Sequence, residues 1–253
     1  MNRFAKAAAY GGGGLGLASA LLTGVLFGQV QWAKRVIPLP DAPPPDGSGF
    51  FPGDGPTIRL VMLGDSSAAG LGADHPAQTP GAMIAAAIGQ PVEYRCLAVV
   101  GADSRHLAPQ VEAALTEPVD LAVMIIGGND VTHGVRQGTA VSLLTTAVRA
   151  LREHGAQVVV GTCPDLGTIQ PIRPPLRWVA RQLSRQLAVA QTAAIEAAGG
   201  HAVQLGTLLG PEFAAAPDEM FSADRYHPSA AGYAAAANAL LPAVRATLTR
   251  EAA

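Results

Sequence analysis

Three short segments carry the residue types of an acyl-transfer centre, and each lies where an apolar run breaks. Gly64-Asp65-Ser66-Ser67-Ala68-Ala69-Gly70 follows Ile58 to Leu63. A serine at a strand-to-helix turn is well placed as a nucleophile, and backbone amides there can face a developing oxyanion. A plain Gly/Ser turn or a phosphate loop reads as well locally, although neither GxxxxGK[ST] nor GxGxxG occurs and no lysine follows Lys34. Gly127-Gly128-Asn129-Asp130 follows Val119 to Ile126 and holds one of only three asparagines in the chain. A neutral, directional side-chain amide suits an oxyanion, and the same residue types also favour turns. Asp224-Arg225-Tyr226-His227-Pro228 precedes an Ala-rich run. A histidine is the usual general base near neutral pH, and a carboxylate three residues earlier can fix its tautomer and stabilise the imidazolium. A fourth position, Gly101, lets backbone approach a ligand closely and reads equally well as a turn. Together these pieces supply a nucleophile, oxyanion donors and an oriented base. No GxSxG elbow is present, which disfavours the α/β-hydrolase arrangement.

In these blocks the chain resembles the SGNH hydrolases, the GDSL-type esterases and lipases. Gly64-Asp65-Ser66 is similar to the first block of that family, Gly101 to the glycine of the second, Gly127 to Asp130 to the GxND of the third, and Asp224 to His227 to the closing DxxH. The blocks fall in family order over residues 58 to 249. The first lacks the Leu of GDSL, and the second lacks the frequent Asn and second Gly, departures that bear on substrate subfamily. The resemblance implies a flavodoxin-like three-layer α/β/α fold with a five-stranded parallel sheet. It implies Ser66 as nucleophile, His227 as base and Asp224 as its orienter. The oxyanion hole would be formed by the Ser66 and Gly101 amides and the Asn129 side chain, with no metal or organic cofactor.

The elements that must position these residues alternate. Apolar runs at 58–63, 92–100, 119–126, 157–161 and 201–205 read as strands. Between and after them, 78–88, 104–115, 138–154, 176–198 and 229–248 read as helices, several stopped by glycine. Such alternation implies a parallel sheet covered on both faces, with ligands at the carboxyl ends of its strands. The loop from Gly206 to Ala223 is expected to shape the pocket. His133, close after Asn129, reads as a pocket-lining residue or, better, a surface turn, and His106, without a partner pattern, reads as incidental. Arg173, Arg177, Arg181 and Arg185 recur every four residues; that spacing fits a basic stripe toward anionic lipid or glycan and fits a solvated helix face better.

Composition narrows the field. With 253 residues, 49% of them apolar and 14% charged, the chain can bury one sizeable core. Its net charge of −2 gives no nucleic-acid signal. Cys96 and Cys163 read as separate buried thiols, without zinc-ligand spacing. Four basic residues precede the first acid, Asp41, and residues 7–30 carry no charge. A run of 24 residues is long enough to span a bilayer, so residues 1–35 read as a signal anchor, or alternatively a cleaved signal peptide. Residues 36–56 read as a Pro/Gly-rich linker and 57–253 as the hydrolase domain. The expected protein is a serine ester hydrolase, membrane-anchored or secreted, facing outside the cytoplasm and acting on a small, lipid or glycan ester. An acyltransferase with the same site and a silent envelope binding domain remain open.

Overall fold

The computed structural model describes residues 21, 23–33, 35–37 and 42–251. The sheet has six strands: β1 (Gly49–Phe51), β2 (Ile58–Gly64), β3 (Val92–Cys96), β4 (Leu121–Ile125), β5 (Gln157–Gly161) and β6 (His201–Val203), in the spatial order β1-β3-β2-β4-β5-β6. The five expected strands are parallel to one another. The sixth, β1, pairs antiparallel with β3 and comes from the segment read as a linker. So the five-stranded expectation is corrected by one edge strand, and the folded unit begins before Thr57. Only three residues long, β1 is held by its ladder to β3 and by Phe51 tilted against Tyr94, ring centroids 6.3 Å apart. A strand that short, among Gly and Pro, has no period to read.

Alternation along the central strands sends side chains to two cores, because successive strand residues point to opposite faces. Ile58, Leu60 and Met62 of β2 join Leu121, Val123 and Ile125 of β4 on one face. Helices α3 (Pro80–Ile88) and α10 (Ala230–Glu251) cover that face. Val61 and Leu63 join Ala122, Met124, Val158 and Val160 on the other. There α4 (Leu107–Ala114), α6 (Gln137–Glu153) and the end of α7 (Leu176–Ala197) close the layer. The result is the expected three-layer α/β/α arrangement.

The stretch expected as a loop, 206–223, is instead largely helical, with α8 (Leu205–Ala215) and α9 (Pro217–Met220). Its glycines and Pro211 hid the pattern Leu205, Leu209, Phe213, a four-residue repeat that puts three large apolar side chains on one side. Before the sheet, described positions 21, 23–33 and 35–36 form a helix, α1. Most of the anchor run 7–30 lies outside the described residues. Among the described residues no helix is long and apolar enough to cross a membrane.

Candidate active site

Ser66 opens α2 (Ser66–Ala69), directly after β2. Two residues upstream, Gly64 has φ +129°, and a Cβ there would lie 2.0 Å from the Ile125 carbonyl oxygen. Only glycine lets β2 turn this tightly against β4. Asp65 caps the short helix by accepting from the Ser67 N–H at 2.8 Å. Gln110, buried in α4, brackets Gly64 from the side. Its Oε1 accepts from the Gly64 N–H at 2.7 Å, and its Nε2 donates to the Gly64 carbonyl at 3.0 Å. Sequence reasoning missed Gln110. The available signal was a glutamine standing at an apolar stripe position, with Leu107, Val111 and Ala114. Buried Gln191 of α7 is a second such clamp, accepting from Cys163 N at 2.8 Å and donating to Ile126 O at 3.2 Å. Each amide pairs both its oxygen and its nitrogen, as buried polar groups must. They hold strand ends against the helices behind them.

His227 and Asp224 arrive from the turn before α10. The imidazole Nε2 lies 3.0 Å from Ser66 Oγ, and Nδ1 lies 2.6 Å from Asp224 Oδ2. Asp224 Oδ1 accepts three more bonds, from Ser222 Oγ at 2.9 Å, Tyr226 N at 2.8 Å and His227 N at 2.9 Å. Burial pushes the Asp224 carboxyl up, but the His227 bond and the backbone donors outweigh it and bring it down to about 2. Arg225, between them, takes the left-handed conformation at φ 57°, which folds the turn back on itself. All three side chains are buried.

Asn129 sits in the first turn of α5 (Gly128–Thr132), entered through Gly127 at φ +134°, where a Cβ would lie 2.7 Å from that of Cys163. One amide hydrogen of Asn129 is committed to the Ala102 carbonyl at 2.9 Å, which fixes the side chain's orientation. Asn129 and Ser66 line one cavity together. Gly101, at φ +78°, is exposed on the loop between β3 and α4 and does not line that cavity. Its N–H is not engaged by a backbone carbonyl.

That loop is tied to α5 at further points. Asp130 accepts from Ser104 N at 3.1 Å and Ser104 Oγ at 3.0 Å, so it braces rather than reacts. Asp103 is buried, with His133 Nδ1 2.9 Å away and His106 Nδ1 3.2 Å away. Arg105 beside it holds its carboxyl far below the usual range, against the push of burial and with help from His133. Both histidines are exposed, as a surface position implies, yet each is tied to Asp103: His133 Nδ1 meets its carboxylate, and His106 Nδ1 accepts from its backbone N–H at 3.2 Å. Their separation of 30 residues along the chain gave no hint of the 103–133 pairing.

Behind Ser66 the cavity measures about 90 Å³, walled by Leu166, Ile169, Leu205, Leu209, Phe213 and Tyr233. Asp65 lines its polar end, and burial lifts that carboxyl to about 6, despite the Ser67 bond and His227. The arrangement joins a hydroxyl, an imidazole held by a carboxylate, an oriented amide donor and an apolar recess. Such a set performs acyl transfer without proton exchange to bulk water in the attacking step.

Known proteins match this reading. The family model of the GDSL-like lipase/acylhydrolase family matches residues 62–235. The GDSL-like esterase Rv1075c of Mycobacterium tuberculosis is 44% identical over 244 residues, covering 90% of this chain and 78% of that one. Among solved structures, TesA superposes with a TM-score of 0.58 at 25% identity, over 75% of this chain and 97% of TesA. Axe2, an acetyl-xylooligosaccharide esterase from Geobacillus stearothermophilus, shares the fold with a TM-score of 0.58 at 19% identity, over 76% of this chain and 95% of Axe2.

Proposed function

This chain belongs to the GDSL-like lipase/acylhydrolase (SGNH hydrolase) family and is a carboxylic ester hydrolase, and on that footing we propose that Ser66, His227 and Asp224 are its catalytic triad. In this reading Ser66 Oγ attacks the ester carbonyl carbon while His227 Nε2 takes its proton. Asp224 holds the other ring nitrogen and stabilises the imidazolium. The carbonyl oxygen becomes an oxyanion facing the free Asn129 amide hydrogen and the Ser66 N–H, with the Gly101 N–H, next in the chain to the Ala102 carbonyl that holds Asn129, as the third donor. The C–O bond then breaks, and His227 returns its proton to the departing alcohol. Water, deprotonated by the same imidazole, attacks the acyl-serine and releases the acid.

The observation that carries this reading is the unbroken path from Asp224 Oδ2 through the imidazole to Ser66 Oγ, at 2.6 and 3.0 Å. The apolar recess would take the acyl chain. Labelling the full chain with a fluorophosphonate tests the assignment. One adduct on Ser66, absent in Ser66→Ala, is expected. An adduct elsewhere, or none on folded protein, refutes it.

The anchor reading of residues 1–35, with the domain outside the cytoplasm, is supported by the uncharged run between Lys6 and Lys34. Cell fractionation with protease protection tests it. A protein recovered wholly in the cytosolic fraction refutes it.

A further inference from the structure

The chain has only two tryptophans, Trp32 and Trp178, and neither is in the core or at the cavity. Trp32 is 49% exposed and Trp178 is 65% exposed. Both belong to the junction between α1 and the start of α7. Arg173 lies over the Trp32 ring, 5.5 Å from its centroid. The Gln29 side chain donates to Pro174 O at 2.7 Å and accepts from Leu176 N at 3.0 Å, so α1 caps α7 where α7 has no side-chain cap of its own. Phe27 on α1, and Val179, Leu183 and Val189 on α7, are exposed as well. Between the α7 residues the exposed polar groups are Gln182, Arg185 and Gln186, with no carboxylate.

Charge is segregated in the same way. From Leu166 to Ile195 there are four arginines and no acid, and positions 1–40 carry four basic residues and no acid. The rest of the chain holds the other 9 basic residues and all 19 acids. Of the four α7-side arginines, Arg181 and Arg185 share the one carboxylate of Asp165. Arg177 bonds the neutral carbonyls of Ile172 and Gln170, and Arg173 lies on Trp32. The face therefore keeps positive charge on an otherwise acidic body.

Indole rings suit the boundary between headgroups and acyl chains, since one edge is polar and the body apolar. Arginines beside them can bury their stems and leave guanidinium in the headgroup layer. Fixed positive charge there is drawn to anionic lipid within a Debye length, about 10 Å at ordinary salt. We infer that the exposed side of α7, with the end of α1, is a docking face for an anionic phospholipid bilayer. A second copy of this chain fits less well. A two-fold interface would place this acid-free, arginine-bearing surface against itself. The buried side of α7 packs, through Ala180, on the Leu166 and Ile169 wall of the cavity, so docking would hold the enzyme with that wall toward the bilayer.

The inference is independent of the triad assignment and goes beyond an amino-terminal anchor, which would tether the chain without inserting α7. Trp178 reports the difference. The full-length Trp32→Phe variant, with Trp178 its only indole, is mixed with phosphatidylcholine–phosphatidylglycerol vesicles carrying brominated acyl chains. Circular dichroism establishes that the variant is folded. Trp178 emission should move to the blue and be largely quenched, and should change far less in brominated phosphatidylcholine alone. A vesicle-bound protein whose Trp178 emits as in buffer, unquenched, overturns the inference. Equal quenching in both lipids overturns its anionic part. Trp178 shielded at doubled mass without quenching would assign the face to self-association and overturn it too. The Trp178→Phe variant, read through Trp32, repeats the test from the α1 side.

Discussion

Replacing Asp224 by asparagine isolates the carboxylate's electronic role from its structural one. Asp224 Oδ1 accepts from three donors, the Ser222 hydroxyl and the Tyr226 and His227 amides, while Oδ2 faces only the imidazole. In Asp224→Asn the amide oxygen must take the three-donor position. The reverse orientation would set an NH2 against three donors and forfeit three hydrogen bonds, about 1 kcal/mol each. The NH2 then points at His227 Nδ1 and donates to it. The ring proton is forced onto Nε2, the nitrogen 3.0 Å from Ser66 Oγ. A protonated Nε2 cannot accept the serine proton. The matching substitution in a serine protease triad lowers kcat about 10⁴-fold, equivalent to about 5 kcal/mol in the barrier. The same order is expected here, read as hydrolysis of a short p-nitrophenyl ester, with KM nearly unchanged. A variant within about tenfold of the parent, a barrier change of only about 1.4 kcal/mol, would refute the claim that Asp224 sets the tautomer.

Asn129→Ala should lower kcat by about 10²–10³ with a small change in KM, because the lost donor acts on the oxyanion and not on the ground-state ester. A loss confined to KM would remove Asn129 from the oxyanion hole. Asp65→Asn should stabilise the protein at pH 8 and leave it unchanged at pH 3.5, by chemical denaturation. Burial lifts the folded carboxyl from 3.8 to about 6, so its ionisation costs stability that begins near the unfolded value and is complete above the folded one. The shift of about two units corresponds to about 3 kcal/mol, and the asparagine oxygen can still cap Ser67. An equal gain at both pH values would refute the cause. Asp224 has the opposite sign: held down at about 2, it contributes stability above pH 4 that is lost as pH falls toward 2. Asp224→Asn should flatten the acid limb of the stability curve, and an unchanged limb would count against it.

The alternating strands, the four blocks and their order were legible in the sequence because each rests on local chemistry. A glycine is needed where φ is positive, as at Gly64 and Gly127, and an unbroken apolar run marks buried strands such as Leu121–Ile125. Serine, asparagine and the Asp224–His227 pair are chemically distinct enough at strand ends to suggest a role before any contact is known. What the sequence lacked was pairing at a distance. It could not place His227 Nε2 against Ser66, 161 residues away, or His133 on Asp103. Nor could it show Gln110 and Gln191 as clamps, since a buried glutamine looks like a surface one until its partners are known. β1 had too few residues to show a period, and α8 was masked by its glycines and proline. Residue type and order determined which chemistry this chain could attempt. Only tertiary packing decided which hydroxyl meets which imidazole, how large a recess lies behind them and which helix face is left uncovered, because those depend on contacts between segments whose separation along the chain carries no local signal.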